Sequence, residues 1–332
     1  MRFANNWCVR AWVAAAMLAI PAAINAADIT ARFNSGEERP FPNQGRIQLT
    51  GTIEQGDYQK LADALGDREG GKGFPIVLSL DSKGGSFEEA LRIANLLLAR
   101  YVTTTIQDNH ECLSACAIIF MAGTYLTTIG PQIGRTMAAN ATLGFRSPNG
   151  AEKVDPPALA GLLALARTRD YQWDHTLMKL SLVHEMIAAS ARGFYFIDTV
   201  RQAAEFEIGI DQVAGPPSMS MAQAKNGCAN AIAYLTDSAL ADSFASDDDD
   251  GELVPSKDDS ESMSYSFRWR RGHCRASNAG GYWSADATDH VEGEEIPFAG
   301  SAETQWVFWP GEKPLKTLPL LVEETDAPEN RP

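Results

Sequence analysis

A serine set between two cysteines, in Cys112-Leu113-Ser114-Ala115-Cys116, is where residue type and spacing in this chain best fit covalent chemistry. A hydroxyl is a weak nucleophile at neutral pH. It needs a base within reach and N–H donors for the oxyanion it generates. The apolar run Ala117–Met121 reads as a helix, so Ser114 stands at a helix start, where free N–H groups and the dipole favour negative charge. Cysteines four apart on one helical turn lie about 6 Å apart, inside disulfide range, and Ser114 then points to the other side. His110-x-Cys112-x3-Cys116 could also suggest a metal set, but no fourth ligand is apparent and thiols oxidise outside the cytoplasm. No metal and no other cofactor is expected.

The elements that must position Ser114 lie just upstream. Ile76, Val77, Leu78 and Leu80 form a short apolar run that fits a strand buried on both faces. Asp81-Ser82-Lys83-Gly84-Gly85 breaks it with paired glycines, which accept positive φ and let another group approach closely. Ser86 and Glu89 form a capping box, and Phe87, Ala90, Leu91, Ala94, Leu97 and Leu98 recur at helical spacing. Tyr101–Ile106 is β-branched, which completes a strand–helix–parallel strand crossover. Arg46–Ile53 alternates as an earlier strand, and Gly56-Asp57 opens a short helix through Leu65. Downstream, Tyr125–Arg135 reads as a turn-rich connection, Pro157–Leu182 as mostly helical and His184–Ala191 as a further helix. Asp198 reads as the cap of a short helix, followed by a strand at Ile208–Ile210.

This pattern resembles the Clp protease proteolytic subunit (ClpP) and crotonase superfamily, in particular its periplasmic, ATPase-free Clp-like members. The match is strand-x-S-x-G-G-helix at Ser82 to Gly85, then C-x-S-A-C-A ahead of an apolar helix ending Met121-Ala122-Gly123. It runs from about Gly45 to about Val213, and Ile197-Asp198-Thr199-Val200 resembles the end of such a domain. The resemblance implies an α/β fold, a spiral of ββα units, with Ser114 as nucleophile. Its oxyanion hole would come from backbone N–H groups at Gly84, Gly85 and Ala115. It also implies a peptide or unfolded protein segment as partner, and a homo-oligomer, since relatives form rings or stacks. The family's base histidine should sit in a motif like L-G-F-H-x-P. Leu143-Gly144-Phe145-Arg146-Ser147-Pro148 fits that motif with Arg146 at the histidine. A guanidinium stays protonated and cannot take the serine's proton. His110 and Lys153 are alternative bases, the latter because relatives resembling signal-peptide peptidase A use a Ser–Lys dyad. His175 and His184 read as surface or core-edge residues.

Two function classes follow: an ATP-independent serine peptidase whose base is unidentified, or a catalytically inactive relative that keeps the groove for binding or scaffolding. Acyl-CoA chemistry shares the paired N–H device but would lack its cofactor outside the cytoplasm.

At 332 residues the chain has room for one large and one small domain. Residues 1–26 read as a signal peptide: Arg2 and Arg10, an apolar core from Ala11 to Ile20, then small residues up to Ala26-Ala27. That core is too short to span a bilayer. The expected location is therefore periplasmic or secreted, with no membrane attachment after cleavage. Cys8 leaves with the leader, and the even set that remains favours disulfides. Cys112–Cys116 and Cys228–Cys274 are the preferred pairs, with two other connectivities open. Net charge is −15, and −17 without Arg2 and Arg10, which disfavours nucleic acid and anionic lipid.

The α/β unit is expected over residues 40–215. A small β-rich, disulfide-stapled accessory domain follows over 225–312, with β-like segments at Ser264–Trp269, Gly281–Ser284 and Gln305–Trp309, and a disordered tail over 313–332. Asp247–Asp250 fails the EF-hand pattern and reads as a solvated acidic loop, which the Arg268–Arg271 cluster would face.

Overall fold

The computed structural model describes residues 26–34, 44–71, 73–128, 130–148, 156–168, 176–189, 193–235, 252–255, 263–269, 272–279, 282–289, 294–298 and 302–321. Residues 1–25, Lys153, His175, Asp247–Asp250, Arg270, Arg271 and the tail beyond residue 321 lie outside that set.

The chain opens with two antiparallel strands, β1 (Asp28–Phe33) and β2 (Gly45–Thr50). Helix α1 (Asp57–Leu65) leads to strand β3 (Ile76–Asp81), helix α2 (Phe87–Arg100) and strand β4 (Thr103–Ile106). In β3, Ile76, Leu78, Leu80 and Ser79 are all buried, as its apolar run requires. Ser86 accepts the N–H of Glu89 at the start of α2, which buries Ala90, Ile93, Ala94 and Leu97. A three-residue strand, β5 (Glu111–Leu113), feeds helix α3 (Ala115–Met121), every residue of which is buried. A helix that is apolar all round belongs in a core.

Where the sequence suggests a turn-rich connection, the chain forms a hairpin, β6 (Thr124–Thr127) with β7 (Gly130–Ile133), followed by strand β8 (Arg135–Ala138). Then come β9 (Thr142–Phe145), α4 (Pro156–Arg167), α5 (Leu180–Ala189), β10 (Tyr195–Phe196), α6 (Val200–Glu205) and β11 (Gly209–Asp211). The main sheet has the order β1-β2-β3-β4-β8-β11, and all its pairs beyond β1–β2 are parallel. A second sheet has the order β10-β9-β5. The architecture is mixed α/β.

Arg135 ties these layers together. Its guanidinium is buried and donates to the carbonyls of Met121, Leu177, Phe206 and Glu207 at 2.7 to 3.0 Å. Burial lowers its pKa to about 10.

Helix α7 (Met221–Leu235) packs on a five-stranded antiparallel sheet formed by β12 (Glu252–Pro255), β13 (Met263–Trp269), β14 (Gly272–Ala279), β15 (Tyr282–Asp289) and β16 (Glu294–Phe298). The disulfide Cys228–Cys274 joins α7 to β14.

Two expectations are corrected here. Gln305–Trp309 is not a strand: residues Ala302–Phe308 form a 3-10 helix, in which Phe308 packs edge-on to Trp283 at 5.0 Å. Burying bulky aromatics against α7 and the sheet overrides their β preference. The chain from Lys313 to residue 321 also does not fray. Lys313 O accepts the N–H of Val200, Leu315 donates to Asp198 O, Ala214 N–H donates to Pro319 O, and Leu321 N–H donates to Gln212 O. The C-terminal segment therefore lies along the α/β unit, held by bridges at Thr199↔Pro314 and Val213↔Leu320 on either side of a 3-10 turn at Leu315–Thr317.

Candidate active site

Strand β5 pairs in parallel with β9, in the register Cys112↔Leu143 and Leu113↔Gly144. The next residue, Ser114, donates its N–H to Gly144 O at 2.9 Å, and its own carbonyl accepts Ala117 N–H to start α3. Ser114 thus occupies a one-residue turn from strand to helix, with φ 55° and ψ −118°. That conformation is unfavourable for a residue with a Cβ, at about 1–3 kcal/mol, and it lifts the side chain off the turn as in a nucleophile elbow. The disulfide Cys112–Cys116 closes across it with a Cα separation of 5.1 Å. The expectation that both cysteines share a helical turn is corrected: Cys112 is a strand residue and Cys116 a helix residue. Both sulfurs are committed to the disulfide, so they cannot ligate metal.

If the turn is strained, removing the Cβ should relax it. Ser114→Gly and Ser114→Ala both lose the hydroxyl, but only the glycine loses the steric conflict. We expect Ser114→Gly to be more stable than Ser114→Ala by about 1 kcal/mol in urea unfolding. Equal stabilities would show that the turn holds no strain.

The diglycine bend lies against this turn. Ser82, just past β3, bridges to Cys112, donating its N–H to Glu111 O at 2.7 Å and accepting Leu113 N–H at 2.9 Å. Gly84 (φ +98°) is then so close that a Cβ there would fall 2.6 Å from Leu113 O, 2.9 Å from Ser114 Cβ and 3.1 Å from Ala115 N. Its N–H is occupied, donating to Ser82 Oγ at 3.1 Å, and its carbonyl accepts Ile53 N–H at 3.0 Å. Gly85 (φ +148°) bridges Ile53, whose carbonyl accepts Ser86 N–H at 2.7 Å. The N–H groups of Gly85 and Ala115 donate to nothing among the described residues.

Arg146 follows β9 directly, and the β5–β9 register carries it beside Ser114. Its Nε donates to Ser114 Oγ at 3.4 Å, and its Cζ lies 5.1 Å from the centre of the Phe194 ring. The guanidinium is exposed.

Among the described residues, no other titratable side chain hydrogen-bonds Ser114 Oγ. His110 stands at the far end of β5, roughly 10–13 Å of extended chain away, with Nδ1 buried and unpaired. His184 is exposed on α5. Asp198 is not the helix cap it was expected to be. Thr199 caps α6 in a capping box with Gln202, while Asp198 O takes Leu315 N–H. Asp198 lines a cavity of about 270 Å³ with Leu143, Phe196 and Lys316. A larger cavity, about 990 Å³, lies against Thr103, Thr105 and Thr136 of the main sheet and includes neither Ser114 nor its neighbours.

No helix among the described residues is long and apolar enough to cross a membrane.

No family model and no curated protein matches the chain. Among solved structures, the chain is similar to a ClpP1 variant from Listeria monocytogenes, at 16% identity over 50% of this chain and 92% of that one, TM-score 0.35. It is similar to a membrane-bound stomatin-specific protease, at 18% identity over 35% of this chain and 56% of that one, TM-score 0.23. A third is a putative polyketide biosynthesis enoyl-CoA hydratase from Bacillus subtilis, at 13% identity over 55% and 71%, TM-score 0.32.

Proposed function

We propose that the chain is an exported Clp-like serine-peptidase scaffold whose Ser114 is arrested because Arg146 occupies the place of the general base. The observation that carries this is the 3.4 Å contact from Arg146 Nε to Ser114 Oγ. An imidazole in that place would accept the hydroxyl proton. A guanidinium only donates, so it holds Oγ as an acceptor and leaves it un-ionised.

The rest of the geometry supports an acyl-binding site. Gly85 and Ala115 N–H groups are open and would hold a carbonyl oxygen next to Ser114, while Gly84 backs the serine and keeps the two turns in contact. Arg146 adds a cation with unused donors at the same place. The ligand we assign is therefore a peptide or unfolded protein segment, bound through a carbonyl or a free carboxylate, which charge-assisted donors favour.

A second reading, a slow peptidase, is favoured by the strained turn at Ser114, since a structural serine has no need of positive φ. Labelling with a fluorophosphonate decides between them. The arrested site should leave wild-type Ser114 unmodified. Modification at Ser114 that disappears in Ser114→Ala would sink arrest and establish the peptidase.

A further inference from the structure

The backbone nitrogen of Ala27 lies 3.2 Å from Oδ2 of Asp57, a carboxylate with no exposed surface. The same oxygen accepts Glu54 N–H at 2.8 Å. Oδ1 pairs with Lys60 Nζ at 2.8 Å, and Lys60 also reaches Ala27 O at 3.1 Å. Lys60 is half in water, its side chain 48% exposed. A buried carboxylate is costly unless its charge is met, and one half-solvated ammonium with two neutral amides meets it incompletely. The residue that touches this carboxylate is also the first after the alanine-containing stretch that follows the apolar core of the leader, Ala22-Ala23-Ile24-Asn25-Ala26.

We propose that the chain is cut between Ala26 and Ala27 and that the new α-ammonium of Ala27 becomes the second cation on Asp57. The cut is a hydrolysis. One water adds across the Ala26–Ala27 amide, Ala26 leaves as a carboxylate, and the Ala27 nitrogen becomes an amine that is protonated at neutral pH. Because Ala27 is only 2% exposed in the fold, cleavage precedes folding. The nitrogen already lies at hydrogen-bond distance, so the ion pair needs no movement of β1. Only the bridge from Ala26 to Thr52 is given up.

The pair has a path to the serine. Asp57 holds Glu54 N–H, and the preceding residue, Ile53, holds both sides of the diglycine bend through Gly84 O and Ser86 N–H. Processing therefore braces the turn that carries the Gly85 N–H. The cleavage rests on the export reading; the benefit to the site rests also on the role proposed for Ser114, and neither measurement below uses that serine.

The first measurement is the intact mass of the protein recovered from an oxidising compartment, which should begin at Ala27. The second compares thermal melts of that chain with one retaining Ile24 to Ala26, which moves the ammonium roughly 10 Å away. The paired ammonium has its folded pKa raised above the ordinary value of about 7.7–8.0. The stabilisation is thus fully present below about pH 8 and is lost as pH rises through the folded pKa. The Ala27-started chain should melt about 3 °C or more higher at pH 7, and the gap should close in alkali. Asp57→Asn should erase the gap at every pH; should that variant not fold, the two natural-sequence chains still decide. A mature mass beginning elsewhere overturns the cleavage. Melts equal at pH 7 overturn the ion pair.

Discussion

Arg146→His should turn the site proposed to be arrested into a hydrolase. The β5–β9 register fixes residue 146 beside Ser114 whatever its side chain, because the contact descends from backbone pairing at Leu113↔Gly144 and not from the guanidinium. An imidazole there can accept the Oγ proton, a step that contributes typically 10²–10⁴-fold. On the proposed reading the open Gly85 and Ala115 N–H groups are the oxyanion donors, so the substitution supplies the base alone. We expect hydrolysis of an activated ester, and more slowly of a peptide amide, rising with pH through the ordinary histidine range near 6.5. Ser114→Ala in the same background should return it to baseline. Arg146→Met is the informative control. It frees Oγ from the guanidinium without adding a base and should stay silent. A folded Arg146→His protein that fails to react would show that arrest does not come from the base alone.

How far such a site can be read from the chain depends on which interactions are local. The Ile76–Leu80 strand, the Gly84-Gly85 break and the Ser86/Glu89 cap are adjacent in sequence, and each imposes its conformation through neighbours one turn away. The structure has the strand and the break, but only half of the capping box: Ser86 Oγ accepts Glu89 N–H, while Ser86 N–H goes to Ile53 O and the Glu89 carboxylate accepts Gly56 and Tyr58 N–H and pairs with Arg92. The Ser114 turn is different. Cysteines four apart suggest a helix, but Cys112 extends because Ser82 and Leu143, distant in sequence, flank it with strand hydrogen bonds. No local preference encodes a three-residue strand held that way. The same cause explains Gln305–Trp309, whose aromatic content suits a strand until α7 and the sheet offer it a deeper seat.

Within the candidate site, the sequence names residues that meet in the fold, Ser114, Gly84 and Arg146, but not the direction of their hydrogen bonds. Arg146 is visible at the histidine of its motif, but its contact with Ser114 Oγ depends on two strands meeting in one register. That Gly84 has committed its N–H to Ser82 Oγ, leaving Gly85 as the open donor, follows from a side chain two residues back. Arg135 gave no signal at all. A buried guanidinium satisfied by four carbonyls stands, in the sequence, at the end of what reads as a turn-rich connection.

Gly85→Ala should be the most damaging single substitution in the site, although it adds one methyl group. The new Cβ would lie 2.1 Å from Ile53 O and 2.8 Å from Ile53 N, and both are backbone atoms that cannot rotate away. At φ +148° the residue is also in a region that side chains rarely enter. The bridge must open, which puts at risk the Ile53 N–H to Gly84 O bond and the Ser86 N–H to Ile53 O bond, each worth about 1 kcal/mol. Adding about 1–3 kcal/mol of backbone strain gives a total loss of roughly 3–5 kcal/mol in urea unfolding. Gly56→Ala calibrates this: it too has positive φ, +103°, but nothing lies within 4 Å of its Cβ, so it should lose only the strain. In an Arg146→His background, Gly85→Ala should also cost 10²–10³ in rate, the typical effect of losing one oxyanion donor, whereas Gly56→Ala should leave the rate intact. Equal losses from the two glycines in both measurements would mean that the Ile53 bridge neither holds the bend nor aims its amide at Ser114.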